Sequence, residues 1–73
     1  MIEDTTIYTY RDKKNLSQKD LAKLLDLPRT TISFYENKRM YPSLKVAEKM
    51  AEILGTTIGV LYTKEELQII SSK

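Results

Sequence analysis

Two prolines and two glycines are all that punctuate this 73-residue chain, at Pro28, Pro42, Gly55 and Gly59. With the polar stretches around them they cut it into short segments, and isolated helices below roughly 12–15 residues are marginal in water. Within the segments apolar residues recur at i, i+3 and i+4, whereas strand-type alternation is weak. The pattern predicts an all-α chain of short helices that stabilise one another. No internal repeat, low-complexity tract or linker breaks it, so the length corresponds to one domain. Hydrophobic residues make up 41% of the chain, enough for a core near the lower size limit for independent folding.

The residue types that are missing narrow the chemistry. Cysteine and histidine are both absent, which excludes disulfides, thiolate metal sites, cysteine or histidine nucleophiles and any imidazole base. No enzyme, metal or cofactor is therefore expected. No uninterrupted apolar run approaches the roughly 20 residues that cross a bilayer. The opening Met1-Ile2-Glu3-Asp4 is acidic and lacks the apolar stretch of a signal peptide. A cytoplasmic protein without a membrane partner is the expectation.

The formal charge of +2 averages over unlike regions. Residues 1–10 carry two acids and no base, residues 11–41 carry eight bases against four acids, and residues 42–73 balance four against four. A basic middle on a near-neutral chain fits a small nucleic-acid binder, and it also fits a solvated mixed-charge surface.

The first helix is expected to start at Thr5 or Thr6 and run to about Lys14, with Ile7 and Tyr10 inward and Asn15 as a left-handed stop. Ser17-Gln18-Lys19-Asp20 has the form of a capping box opening a second helix at about 17–25, with Leu21, Ala22 and Leu25 inward. Pro28 is placed at the first position of a third helix at about 28–36. There Ile32 and Tyr35 bury, while Arg29, Thr30, Ser33 and Phe34 face out. The β-branched run Thr30-Thr31-Ile32 makes this helix poor by propensity, so its neighbours must hold it and its outer face serves another purpose. Pro42-Ser43 starts a fourth helix with Leu44, Ala47, Met50, Ala51 and Leu54 inward and Gly55 as stop. A fifth follows around Thr57–Tyr62, burying Ile58 and Leu61. Thr63-Lys64-Glu65-Glu66 is a second capping-box pattern, giving a C-terminal extension of helical potential over Lys64–Ile70.

Two short helices joined by the tight Asp26-Leu27 turn make a helix-turn-helix. Leu16-Ser17-Gln18-Lys19-Asp20-Leu21-Ala22, then Thr31-Ile32-Ser33, then Glu36-Asn37-Lys38-Arg39, then Pro42-Ser43-Leu44 resemble, in order and spacing, the phage-repressor or Cro/CI-type helix-turn-helix family, also called the Xre family. The resemblance runs without a gap from about Ile7 to Tyr62. The chain departs from the family in carrying Asp26 where the turn usually has glycine, and Pro28 where the recognition helix usually has a hydroxyl cap.

The resemblance implies a five-helix, lambda-repressor-like DNA-binding domain over residues 1–62, with its third helix in the major groove. Base contacts would come from Arg29, able to bond guanine O6 and N7 together, and from Thr30, Ser33 and Phe34. Phe34 is also open to a core or dimer role. Phosphate contacts would come from Ser17 and Gln18 at the positive end of helix two, from Thr31, and from Lys38, Arg39 and Tyr41. Ser17 is first of all a cap, and Thr31 stands equally well on the supporting side. Arg11 and Glu36 would form a structural pair.

One such domain covers about half a site, so a homodimer on a two-fold symmetric double-stranded operator is expected. The apolar residues from Ile58 onward (Ile58, Leu61, Tyr62, Leu67 and Ile70, with Val60 and Ile69) are the candidate interface, and residues 63–73 the candidate dimerisation segment. No small-molecule sensor is expected in a chain that ends so soon after helix five. A transcriptional repressor is the first expectation. An activator resembling restriction–modification controllers, or an antitoxin that pairs with a toxin protein, are the alternatives.

Overall fold

The computed structural model describes residues 6–72, and those residues form six helices and no strand: α1 (Thr6–Lys13), α2 (Gln18–Leu25), α3 (Arg29–Glu36), α4 (Leu44–Leu54), α5 (Ile58–Leu61) and α6 (Lys64–Ser71). The alternative start at Thr5 and the acidic leader lie outside the described residues.

Local chemistry fixes most of the ends. Asn15 turns left-handed after α1, with φ 57°. At the start of α2 the Asp20 amide donates to Ser17 Oγ at 3.0 Å and the Ser17 amide donates back to the Asp20 carboxylate at 3.0 Å, the reciprocal capping box. The Ser17 backbone amide, then its hydroxyl, hold the Asp20 carboxyl below the ordinary carboxylate range. Asp26 ends α2 in the left-handed region at φ 57°. The Leu27 amide returns to the Ala22 carbonyl at 2.9 Å, so aspartate performs the stop that glycine usually performs. Gly55 ends α4 at φ 72° with the same return bond, Thr56 to Ala51 at 2.9 Å. Its α-carbon faces the Lys14 side chain, whose Cε would lie 3.1 Å from an added Cβ, so both its angle and its clearance favour glycine.

Two boundaries differ from the sequence expectation. Pro28 is the cap residue of α3 and not its first helical residue, and it provides no side-chain bond to the free amides. In α4 the first helical residue is Leu44, capped by Ser43, whose Oγ accepts the Val46 amide at 3.3 Å. Leu44 is exposed, contrary to its expected inward position. The fully buried ring of Pro42 closes that end of the core ahead of it.

Every helix contributes to one core. Ile7, Leu21, Ile32, Met50, Leu54, Leu61 and Ile70 are all essentially inaccessible to solvent, and each such side chain contributes about 1.5–3 kcal/mol. The inclusion of Ile70 places α6 in that core: the C-terminal extension packs as a sixth helix. The packing between α2 and α3 is the most extensive between any two helices, which fixes the angle at which α3 is presented.

Candidate nucleic-acid interface

Helix α3 is divided cleanly. Ile32 and Tyr35 are buried, whereas Arg29, Thr30 and Phe34 are exposed and Ser33 is half-buried. Positions 29, 30, 33 and 34 fall on one side of a helix, so the four residues expected to read bases share an outward face. That face begins at the amino end of the helix, where amides unsatisfied by any cap give a partial positive charge. Burial raises the Tyr35 hydroxyl above its ordinary value of 10.0, so it stays neutral behind this face.

Behind α3 lies a polar relay. Arg11 Nε donates to Glu36 Oε2 at 2.7 Å and one terminal nitrogen donates to the Leu16 carbonyl at 2.7 Å. The structure thus brings together the pair expected between α1 and the end of α3, with side chains only 11% and 10% exposed. Gln18, the first residue of α2, extends it: its Nε2 donates to Glu36 Oε1 at 2.9 Å, and its Oε1 accepts from the Arg29 guanidinium at 3.0 Å. Arg29 is thereby tethered at the amino end of α3 by a chain of bonds that starts in the core. Sequence reasoning assigned Gln18 to phosphate and missed this link. The signal was a long amide side chain at the start of α2, opposite an arginine at the start of α3.

The residues expected at phosphates separate into two groups. Ser17 and Arg39 are exposed, and Thr31 is half-buried at the edge of the same face. Lys38 and Tyr41 are instead drawn inward. Lys38 Nζ lies 3.4 Å from Glu66 Oε2 and 4.2 Å above the Tyr62 ring, and the Tyr41 hydroxyl donates to Glu66 Oε2 at 2.9 Å. In this structure the Lys38 side chain is 15% exposed and its charge is already answered by a carboxylate.

The structure places the expected dimer residues as follows. Leu61, Tyr62 and Ile70 are 1%, 3% and 0% exposed, spent in the core of their own chain and without surface to offer a partner. Ile58 and Leu67 are half-buried against that core. Val60 and Ile69, at 50% and 45%, are the exposed apolar residues of α5 and α6. Among the described residues no helix is long and apolar enough to cross a membrane.

A helix whose solvent face carries arginine, hydroxyls and an aromatic, set on a partner helix across a tight turn, defines a DNA-reading helix-turn-helix. The chain belongs to the helix-turn-helix family of the Xre or Cro/CI type, whose model matches residues 7–61, and it is a transcriptional regulator with a DNA-binding domain and not an enzyme. It is similar to an uncharacterised HTH-type transcriptional regulator of Archaeoglobus fulgidus, 35% identical over 65 residues that cover 89% of this chain and 92% of that one. An uncharacterised regulator of Methanocaldococcus jannaschii is 42% identical over 57 residues, 78% of this chain and 86% of its own. The control protein C.SmaI of Serratia marcescens is 34% identical over 62 residues, 85% and 74% of the two chains.

Proposed function

We propose that this regulator is a repressor that binds a two-fold symmetric operator as a homodimer. The observation that supports its reading of DNA is the outward face of α3, with Arg29 held by Gln18 in a defined direction at its amino end. A guanidinium so placed meets guanine O6 and N7 together, Thr30 meets a neighbouring base edge or thymine methyl, and Phe34 gives an apolar contact. Ser33 lets the helix sit close to the bases. Ser17 and Arg39, both exposed, and the half-buried Thr31 would bind phosphates, which fixes register without reading sequence.

The dimer would use Val60 and Ile69, with the half-buried Ile58 and Leu67 beside them, in place of the residues committed to the core. A two-fold operator then requires the two α3 helices to lie in successive major grooves, about 34 Å apart. Footprinting across the DNA that flanks the gene, with a salt series, tests the reading. Two half-sites about one helical turn apart should be protected together, with log affinity falling against log salt at a slope of about −5 or steeper. Protection of a single half-site, together with a monomer at high micromolar concentration in sedimentation, would refute the dimer. An activator is the second reading, favoured by the similarity to the HTH-type transcriptional activator BcrR of Enterococcus faecalis, 37% identical over 57 residues, 78% of this chain and 28% of that one. A site upstream of the regulated promoter, and not overlapping it, would select that reading.

A further inference from the structure

The recognition helix ends in an unusual way. The Arg39 amide donates to the Phe34 carbonyl at 2.9 Å and the Lys38 amide to the Tyr35 carbonyl at 3.2 Å. These are the paired bonds of a Schellman stop, whose left-handed position is normally glycine because a Cβ is unfavourable there. Lys38 occupies that position, at φ 58°. Its side chain is correspondingly well held: beyond the Glu66 carboxylate and the Tyr62 ring, Nζ lies 3.4 Å from the Leu61 carbonyl at the end of α5.

Glu66 is the centre of this arrangement. One oxygen accepts from the Tyr41 hydroxyl and faces Lys38, while the other accepts the Thr63 amide at 2.8 Å as part of the α6 capping box. Tyr41 and Tyr62 meet edge to face with centroids 6.2 Å apart. A single carboxylate thus ties both ends of the 38–41 segment, directly after the recognition helix, to the first turn of α6. That helix lies beyond the 7–61 stretch matched by the family.

We propose that α6 takes part in DNA binding without touching DNA: Glu66 and Lys38 are positioning residues that hold the segment after α3, and with it Arg39 and the carboxyl end of the recognition helix, in the geometry that meets the phosphates. The proposal rests on the DNA-binding role of the domain and adds residues outside its contact surface. It also makes a prediction whose sign is opposite to that of simple electrostatics. A glutamate near a polyanion repels it, so on charge alone its removal tightens binding. If the glutamate instead positions the loop, its removal loosens binding.

Glu66→Gln separates the two, because glutamine can keep its oxygen on the Thr63 amide for the capping box and turn its NH2 to donate to the Tyr41 hydroxyl, while losing the charge that holds Lys38. Lys38→Gly is the complementary variant, easing the left-handed backbone while deleting the side chain. Binding is read by fluorescence anisotropy, over a salt series, on a duplex that the wild-type protein selects from a randomised pool. The temperature is one at which circular dichroism reports wild-type helix content for each variant. Glu66→Gln should weaken binding by about threefold or more with an unchanged salt slope, Lys38→Gly should do the same, and the double variant should be no weaker than either single one. Glu66→Gln binding as well as or better than wild type overturns the proposal. So does a salt slope that Lys38→Gly makes shallower by about one per protomer, which would make Lys38 a direct phosphate contact. If the wild type enriches no duplex from the pool, the DNA-binding role itself fails, and the seam proposal with it.

Discussion

The two ends of the recognition helix are governed by the same chemistry with opposite results. Glu36, the last residue of α3, gathers Arg11 and Gln18, and Gln18 carries the relay back to Arg29 at the amino end, which stays exposed. At the carboxyl end, Glu66 gathers Lys38 and Tyr41, and the lysine is withdrawn from solvent onto an aromatic ring. A carboxylate with several donors presents a cation in one place and retires one in the other. The difference lies in what separates the carboxylate from the cation. Gln18 intervenes in the first network as a neutral relay with one donor and one acceptor face, so the arginine's charge is oriented and not neutralised. In the second the carboxylate meets the ammonium directly.

The largest way to break this comparison is to remove Arg11. Arg11→Met keeps much of the aliphatic stem and leaves Glu36 in a nearly buried place with only Gln18 to answer it. Breaking a buried pair from one side costs about 3–5 kcal/mol, a large fraction of the stability available to a domain of this size. Urea unfolding should show the midpoint falling severely. A midpoint within a few tenths molar of wild type would mean that the pair is solvated and that the relay has no anchor in the core.

Next in size is Arg29→Ala, which removes the end of the relay and leaves its base intact. Stability should be unchanged to within about 0.5 kcal/mol, as for an exposed position. The cost should fall on DNA, about 1–3 kcal/mol with discrimination lost at one base pair in each half-site. Competition with duplexes altered one pair at a time measures this, and an equal loss on every duplex would reassign Arg29 to phosphate.

How much of this was legible in the sequence depended on the range of the interaction. The capping boxes at Ser17/Asp20 and Thr63/Glu66, the stop at Gly55 and the left-handed Asn15 were readable because both partners lie within a few residues. The outward face of α3 was readable from the spacing of Ile32 and Tyr35, and the Arg11–Glu36 pair from family resemblance. The destination of Lys38 was not, since it depends on α6 folding back across a separation such as the 25 residues between Tyr41 and Glu66. The same limit applies to the candidate dimer residues. An apolar stripe of Leu61, Tyr62 and Ile70 looks alike whether it packs on its own chain or on a second copy, and only the fold decides between them.

Gln18→Ala sharpens the comparison by cutting the relay in the middle. Glu36 keeps Arg11, so the stability loss should be only the modest value of a hydrogen bond, about 0.5–1.5 kcal/mol. Arg29 would be left exposed but undirected. Selectivity between the best duplex and one altered at the Arg29 base pair should therefore fall even where total affinity changes little. A loss of affinity that is uniform across sequences and accompanied by a shallower salt slope would mean that Gln18 binds phosphate and orients nothing.

The smallest expected effect tests the other end of α3, by titration. Burial raises the Glu66 pKa, but the bonds from the Thr63 amide and Tyr41 hydroxyl and the Lys38 ammonium together outweigh it, so its carboxyl lies below the ordinary 4.5. A carboxyl depressed in the folded state contributes stability that is fully present above the unfolded value and is lost as pH falls through the folded one. Wild type should therefore exceed Glu66→Gln in unfolding free energy at neutral pH, by about 0.2–1 kcal/mol for a pair near the surface. The gap should shrink once pH drops below 4.5 and vanish when Glu66 is protonated. Asp20, whose carboxyl is also depressed, is common to both proteins and cancels in the difference. A gap that persists unchanged at low pH would show that the neutral amide disturbs the α6 cap itself, and that the ion pair with Lys38 contributes nothing to holding α6 against the end of the recognition helix.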